Sequence, residues 1–221
     1  MALGLAAISW AVYVWGVLRR PAPESPIWLA VSMTVDLGRE QTIPAWWSSM
    51  LWLLLGLAAA AVGWSSGRRR WYALGVLAWG ASVDEYAELH ERLDSLGAAM
   101  QQYMGWELAY AWVIPGSLLA AIVGIAGVLL ARSETAQTRS GLVWAGAVFL
   151  LGAVVLEVIG SLLLQHFQVV TWHFALAYHL EEVLEIIGVT MAIVAVLGSA
   201  DRLVVSKKTT PSPAGIHIAR S

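Results

Sequence analysis

The run Phe174–Gly198, FALAYHLEEVLEIIGVTMAIVAVLG, is long and apolar enough to cross a bilayer, yet it carries His179, Glu181, Glu182 and Glu185 in its first half. A helix needs about 20 mostly apolar residues to span the hydrocarbon. An ionisable side chain at that depth costs roughly 2.5–3.5 kcal/mol on insertion scales, so a group of them marks a functional site by default. A second such segment, ASVDEYAELHERLD at 81–94, adds Asp84, Glu85, Glu88, His90 and Glu91.

The rest of the chain fits this reading. Its 221 residues are 59% hydrophobic and only 13% charged, against roughly 25% charged in soluble domains, and the mean hydropathy is +0.69. These values predict an all-α, polytopic membrane bundle. Apolar runs place six spans at about 2–18, 45–64, 71–91, 107–131, 141–165 and 174–198. They form one transmembrane domain over 1–205, followed by a disordered tail over 206–221 with Pro211, Pro213 and Gly215. The first run lacks a basic start and a small-residue cleavage site, so it reads as a retained span. Trp46, Trp47, Trp64, Trp71, Trp106, Trp112, Trp144 and Trp172 fall near the ends of runs, where indole anchors at the headgroups.

Basic residues orient the bundle. Arg68–Arg70, Arg132 with Arg139, and Arg202 with Lys207 and Lys208 follow the second, fourth and sixth spans. The positive-inside rule makes these segments and both termini cytoplasmic in a cell membrane, with Arg19 and Arg20 as the exception. A net charge of -2 argues for no charged partner, and no basic-aromatic pattern points to nucleic acid. The lipid bilayer is the expected partner, with other membrane subunits as an open alternative. Zero cysteines exclude disulfides and thiolate ligands.

Depth collects the ionisable residues in one layer. At about 1.5 Å rise per residue, Asp84 lies roughly 20 Å from the start of its span and Glu91 about 30 Å, while Glu157 lies about 24 Å along the fifth. Glu181 and Glu185 fall roughly 10 and 17 Å along the sixth, entering from the opposite face. All lie in the outer, extracytoplasmic half. At 100° per residue Asp84, Glu88 and Glu91 share a narrow arc with His90 opposite; Glu181 and Glu185 align, and Gly188 continues their face for close packing. Facing acids repel unless protonated or neutralised by a cation. A divalent metal is the expected cofactor, with Asp84, Glu85, Glu88, His90, Glu91, Glu157, His179, Glu181, Glu182 and Glu185 as candidate ligands. Oxygen-rich ligation favours Mn, Fe, Ca or Mg over Zn. The Glu-x-x-His pairs of two-metal bundles are absent. Upstream, Pro44 is expected to open the second span, with Asp36 and Glu40 capping it or closing the mouth of the acidic layer.

The segments VDLGREQTIPAWWSS, SVDEYAELHERLD, AYAWVIPG and HLEEVLEIIG together resemble a family of uncharacterised bacterial multipass membrane proteins. Those proteins carry an acidic segment before Pro-x-Trp, an Asp-Glu-x-x-x-Leu-His-Glu helix and a Glu-Glu-x-x-Glu helix. Asp84, Glu85, His90, Glu91, Glu181, Glu182 and Glu185 match the pattern; Gly38 and Arg39 depart from its Asp-Gly. The resemblance implies no activity. Two functions stay open: a metal-dependent enzyme acting on a membrane-soluble substrate, or a non-catalytic subunit or small cation or proton transporter.

Overall fold

The computed structural model describes residues 1–19, 25–105 and 107–209. Among these the chain is helical, with no strand: α1 (Ala2–Arg19), α2 (Pro26–Val35), α3 (Ile43–Ser66), α4 (Arg70–Ala87), α5 (Asp94–Met104), α6 (Val113–Ala131), α7 (Ala136–Leu150), α8 (Glu157–Phe167) and α9 (Trp172–Thr209). Local chemistry sets the boundaries. The Ser25 hydroxyl accepts from the Trp28 N–H and Pro26 opens α2, a side-chain cap followed by a residue with no N–H to leave unpaired. Thr42, rather than Asp36 or Glu40, caps α3 through the Ala45 N–H, with Pro44 in the first turn. Gly67 then ends α3 at φ +69°, a left-handed conformation that glycine adopts without strain.

Among the described residues four helices are long and apolar enough to cross a membrane: Ile43–Ser66, Val113–Ala131, Ala136–Phe167 and Trp172–Ala200. The other two of the six expected spans are not of that length and composition. α1 contains an apolar run of only Leu3–Leu18. α4 begins at Arg70 and, instead of continuing to residue 91, stops at Ala87, because Glu88 turns into the left-handed region at φ 53°. The next expected span loses its first six residues to an irregular connection, and α2 and α5 are additional short helices. The expected tail from Ser206 begins within α9, which continues to Thr209; residues 210–221, Arg20 and Trp106 lie outside the described residues.

The core joins α3, α4 and α9 through Leu51, Leu55, Ala59, Trp71, Ala78, Ile186, Val189 and Val196, all buried. Small residues let the backbones approach, the usual device where lipid removes the hydrophobic drive between helices. A Cβ on Gly56 would lie 3.2 Å from the Gly75 carbonyl, and one on Gly188 2.8 Å from the Phe149 backbone nitrogen, so the close packing expected at Gly188 is present. Ser49 and Ser82 each donate to the other's carbonyl at 2.8 Å, tying the start of α3 to the end of α4. At the other end Glu134, between α6 and α7, receives Arg68 at 2.8 Å and Arg70 at 2.7 Å. The Arg68–Arg70 turn and the α6–α7 turn therefore share one end of the bundle, as the basic pattern predicts.

Candidate functional site

A cavity of about 1530 Å³ runs along the bundle. Nine of the expected site residues line it: Asp84, Glu85, Glu88, His90, Glu91, Glu157, Glu181, Glu182 and Glu185. Asp36, Arg39, Glu40 and Tyr110 line the same end. Four parts of the chain thus bring acids to the cavity lining, at the end away from the Arg68–Glu134 pair. The ion pairs among the described residues are Arg68–Glu134, Arg70–Glu134 and His90–Asp84, so the remaining acids have no cation within contact.

The end of α4 differs from its helical expectation. Because the helix breaks at Glu88, the predicted arc of Asp84, Glu88 and Glu91, with His90 opposite, does not form. His90 instead folds back onto Asp84. Its backbone N–H donates to Asp84 Oδ1 at 2.8 Å, and Nδ1 lies 3.0 Å from Asp84 Oδ2. Trp112 packs on the imidazole with ring centroids 4.5 Å apart. A carboxylate at Nδ1 places the proton there and leaves Nε2 as the acceptor. Among the described residues Nε2 makes no hydrogen bond. Burial lowers the His90 pKa, but the Asp84 hydrogen bond and the charges of Asp84, Glu91 and Glu40 outweigh it, and the net shift is upward.

Glu40, in the loop before α3, was expected to cap that helix or to close the mouth of the acidic layer; it lines the cavity. Its Oε2 is buried without a hydrogen-bond partner. Burial, and then the charge of Glu85, push its pKa up to about 8. Glu91 and Tyr110 are raised as well, first by burial and then by Glu88 and Glu157 respectively. Gln41 and Glu88 both stand at positive φ and meet across the mouth, Gln41 Nε2 donating to Glu88 Oε1 at 3.4 Å. Non-glycine residues in that region cluster at functional sites. The sequence signals for these residues were weak, because both depend on backbone turns that no periodicity encodes.

Glu157 is positioned by a π-helical stretch, Leu151–Leu156, inserted between α7 and α8. The inserted turn rotates α8 against α9, and the Glu157 and Glu181 carboxyls face each other. Gly152 permits the approach: a Cβ there would lie 2.8 Å from the Glu181 carbonyl and 3.0 Å from Glu185 Cγ. Glu85 extends toward Ser48, whose buried hydroxyl oxygen has no hydrogen-bond partner. Glu182 and Glu185 approach from α9.

His179 does not line the cavity. It is buried at 5% exposure, its Nδ1 2.8 Å from the Ala175 carbonyl and its Nε2 3.0 Å from Ser9 Oγ. Ser9 in turn accepts from the Leu37 N–H at 3.0 Å. With both ring nitrogens engaged, His179 holds α1 and the Leu37 loop against α9 and has no lone pair left for a metal. The expected ligand role is thereby corrected. As the side chains stand, no group of three His, Asp or Glu among the described residues has the arrangement of a metal site.

Fold and cavity together define an all-helical protein with apolar helices compatible with a membrane location. The chain belongs to the family described as domain of unknown function DUF8692, whose model matches residues 2–200. No curated protein and no solved structure gives a significant match.

Proposed function

We propose that this is an integral membrane protein whose acid-lined cavity binds a divalent cation and presents it to a membrane-soluble substrate. One observation carries the reading: Asp84 orients His90 while leaving Nε2 without a hydrogen bond beside unpaired carboxyls. Metal-bound histidines typically hold their second nitrogen against a carboxylate in this way. His90, Glu85, Glu182 and Glu185 are the proposed ligands, with Glu40 within reach and Asp84 as the group that orients His90. Ligation requires these side chains to close by rotamer changes, which flexible glutamates allow. The bound ion would polarise an oxygen of the substrate or lower the pKa of a water.

The membrane-soluble substrate is favoured over an ion path by the walls of the cavity. Beyond the acids the lining is mainly apolar, with Leu77, Ala120, Gly124, Val128, Phe149 and Ala192, before Arg70, Arg132 and Glu134 at the far end. Along that stretch a permeating ion would find few polar partners. The basic residues after α3 and α6 support a carboxylate layer on the extracytoplasmic side with both termini cytoplasmic.

Thermal stability in detergent tests the cation. An ion bound only by the folded chain stabilises it by about 2.7 kcal/mol at one hundred times its Kd. Mn²⁺, Mg²⁺ or Zn²⁺ is expected to raise Tm in the wild type and not in Glu182→Gln/Glu185→Gln. An equal rise in both proteins would overturn the ligand assignment.

A further inference from the structure

The mainly apolar stretch of the cavity arises from how α6 is held. Its buried residues are Val113, Pro115 and Ala131, all near its two ends. One end is fixed through the Trp112 N–H, which donates to Asp94 Oδ1 at 3.1 Å, and the other adjoins the Glu134 ion pairs. Between these anchors the helix packs against α7 but leaves open space toward α4 and α9. A Cβ on Gly127 would meet nothing within 4 Å, and one on Gly124 only Leu150 Cδ1 at 3.4 Å. Leu118 and Ile122, 60% and 57% exposed, lie outside the lining.

A trough of this kind within a bilayer does not stay empty. Water gains little from mainly apolar walls, whereas a hydrocarbon chain recovers dispersion contacts along its whole length. The cavity exceeds the roughly 300–1,000 Å³ of ordinary small-molecule pockets. It is also continuous with the acidic end, so its occupant has an apolar body and a polar head.

We infer that the trough between α4, α6, α7 and α9 binds one hydrocarbon chain of a lipid whose oxygen-bearing head group reaches the acidic end and ligates the cation there. This rests on the cation reading above, and it names the class of substrate: a lipid, entering sideways between α4 and α6. α6 is the wall that a chain passes, and its Gly124 and Gly127 leave the room.

The test uses the full chain in phosphatidylcholine vesicles doped with phosphatidic acid that carries a diazirine midway along one acyl chain. Cross-linked positions are mapped by mass spectrometry, and metal content is measured on the same samples. Saturable labelling around Ala120, Gly124 and Ala153, competed by unlabelled phosphatidic acid and lost in Gly124→Leu/Gly127→Leu with metal retained, is the expected result. Gly127→Leu alone, whose side chain enters open space, serves if the double variant does not fold. Labelling that is non-saturable and concentrated at Leu118 and Ile122 would overturn the trough while leaving the cation reading intact. Saturable labelling of the trough in protein that binds no metal would overturn the ionic anchorage of the head group and the cation reading together.

Discussion

His179 and His90 show how similar residues part company in the folded chain. Both are histidines beside acids in apolar sequence, but His179 spends both nitrogens on Ala175 and Ser9, whereas His90 spends one on Asp84. His179→Ala is expected to cost about 1–3 kcal/mol, since it removes one of the two partners of the buried Ser9 hydroxyl, and to leave metal content unchanged; calorimetry and metal analysis of one sample check both. Asp84→Asn is expected to weaken metal binding about 10- to 100-fold, as loss of an orienting partner does, with ion titration as the measurement. Glu40 supplies a pH dependence. Its carboxyl, ordinarily near 4.5, sits at about 8 in the fold, so the unfolded chain ionises first. Its contribution to stability is complete below about 4.5 and is lost as the pH rises toward 8. His90, raised above 6.5, acts in the same direction. In chelator, Tm should therefore fall between pH 5 and pH 8, and Glu40→Gln should flatten the slope. A Tm that rises over that interval would contradict the environment assigned to Glu40.

Helix ends and helix insertions decided what could be read from sequence. The apolar periods of α3, α6 and α9 are long and their existence follows from composition alone. The break at Glu88 does not, because a glutamate at φ 53° opposes its own backbone preference and is held by tertiary contacts such as Gln41. That single turn displaced every angular argument beyond Ala87. The π-helical stretch before Glu157 is invisible for the same reason: its extra residue is accommodated by the partner helix, through Gly152. Gly188 was legible because it continues the Glu181 and Glu185 face. Gly152→Ala and Gly188→Ala are each expected to destabilise by about 1–3 kcal/mol through overpacking. Gly152→Ala should in addition weaken metal binding, because it displaces the Glu181 backbone and Glu185. Gly80→Ala, whose Cβ would meet nothing within 4 Å, is the neutral control.

For the molecule as a whole, the all-helical architecture with apolar helices compatible with a membrane followed from hydropathy. The number of crossings did not, since α1 and α4 are too short or too polar to be settled by composition. The chain contains no cysteine, so single cysteines report topology without background. Ser133→Cys, beside the Arg68–Glu134 pair, should react with an impermeant maleimide only from the cytoplasmic side, and Gln168→Cys, in the α8–α9 connection, only from outside. The central claim, that acids lining one cavity from four parts of the chain bind a cation, is tested most directly by metal content. The protein would be purified in mild detergent beside Glu182→Gln/Glu185→Gln and both analysed by plasma mass spectrometry. About one equivalent of a divalent metal in the wild type, lost in a folded double variant, is the predicted result for a site of this carboxylate and imidazole composition. Equal metal in both proteins, or none in either, would contradict it.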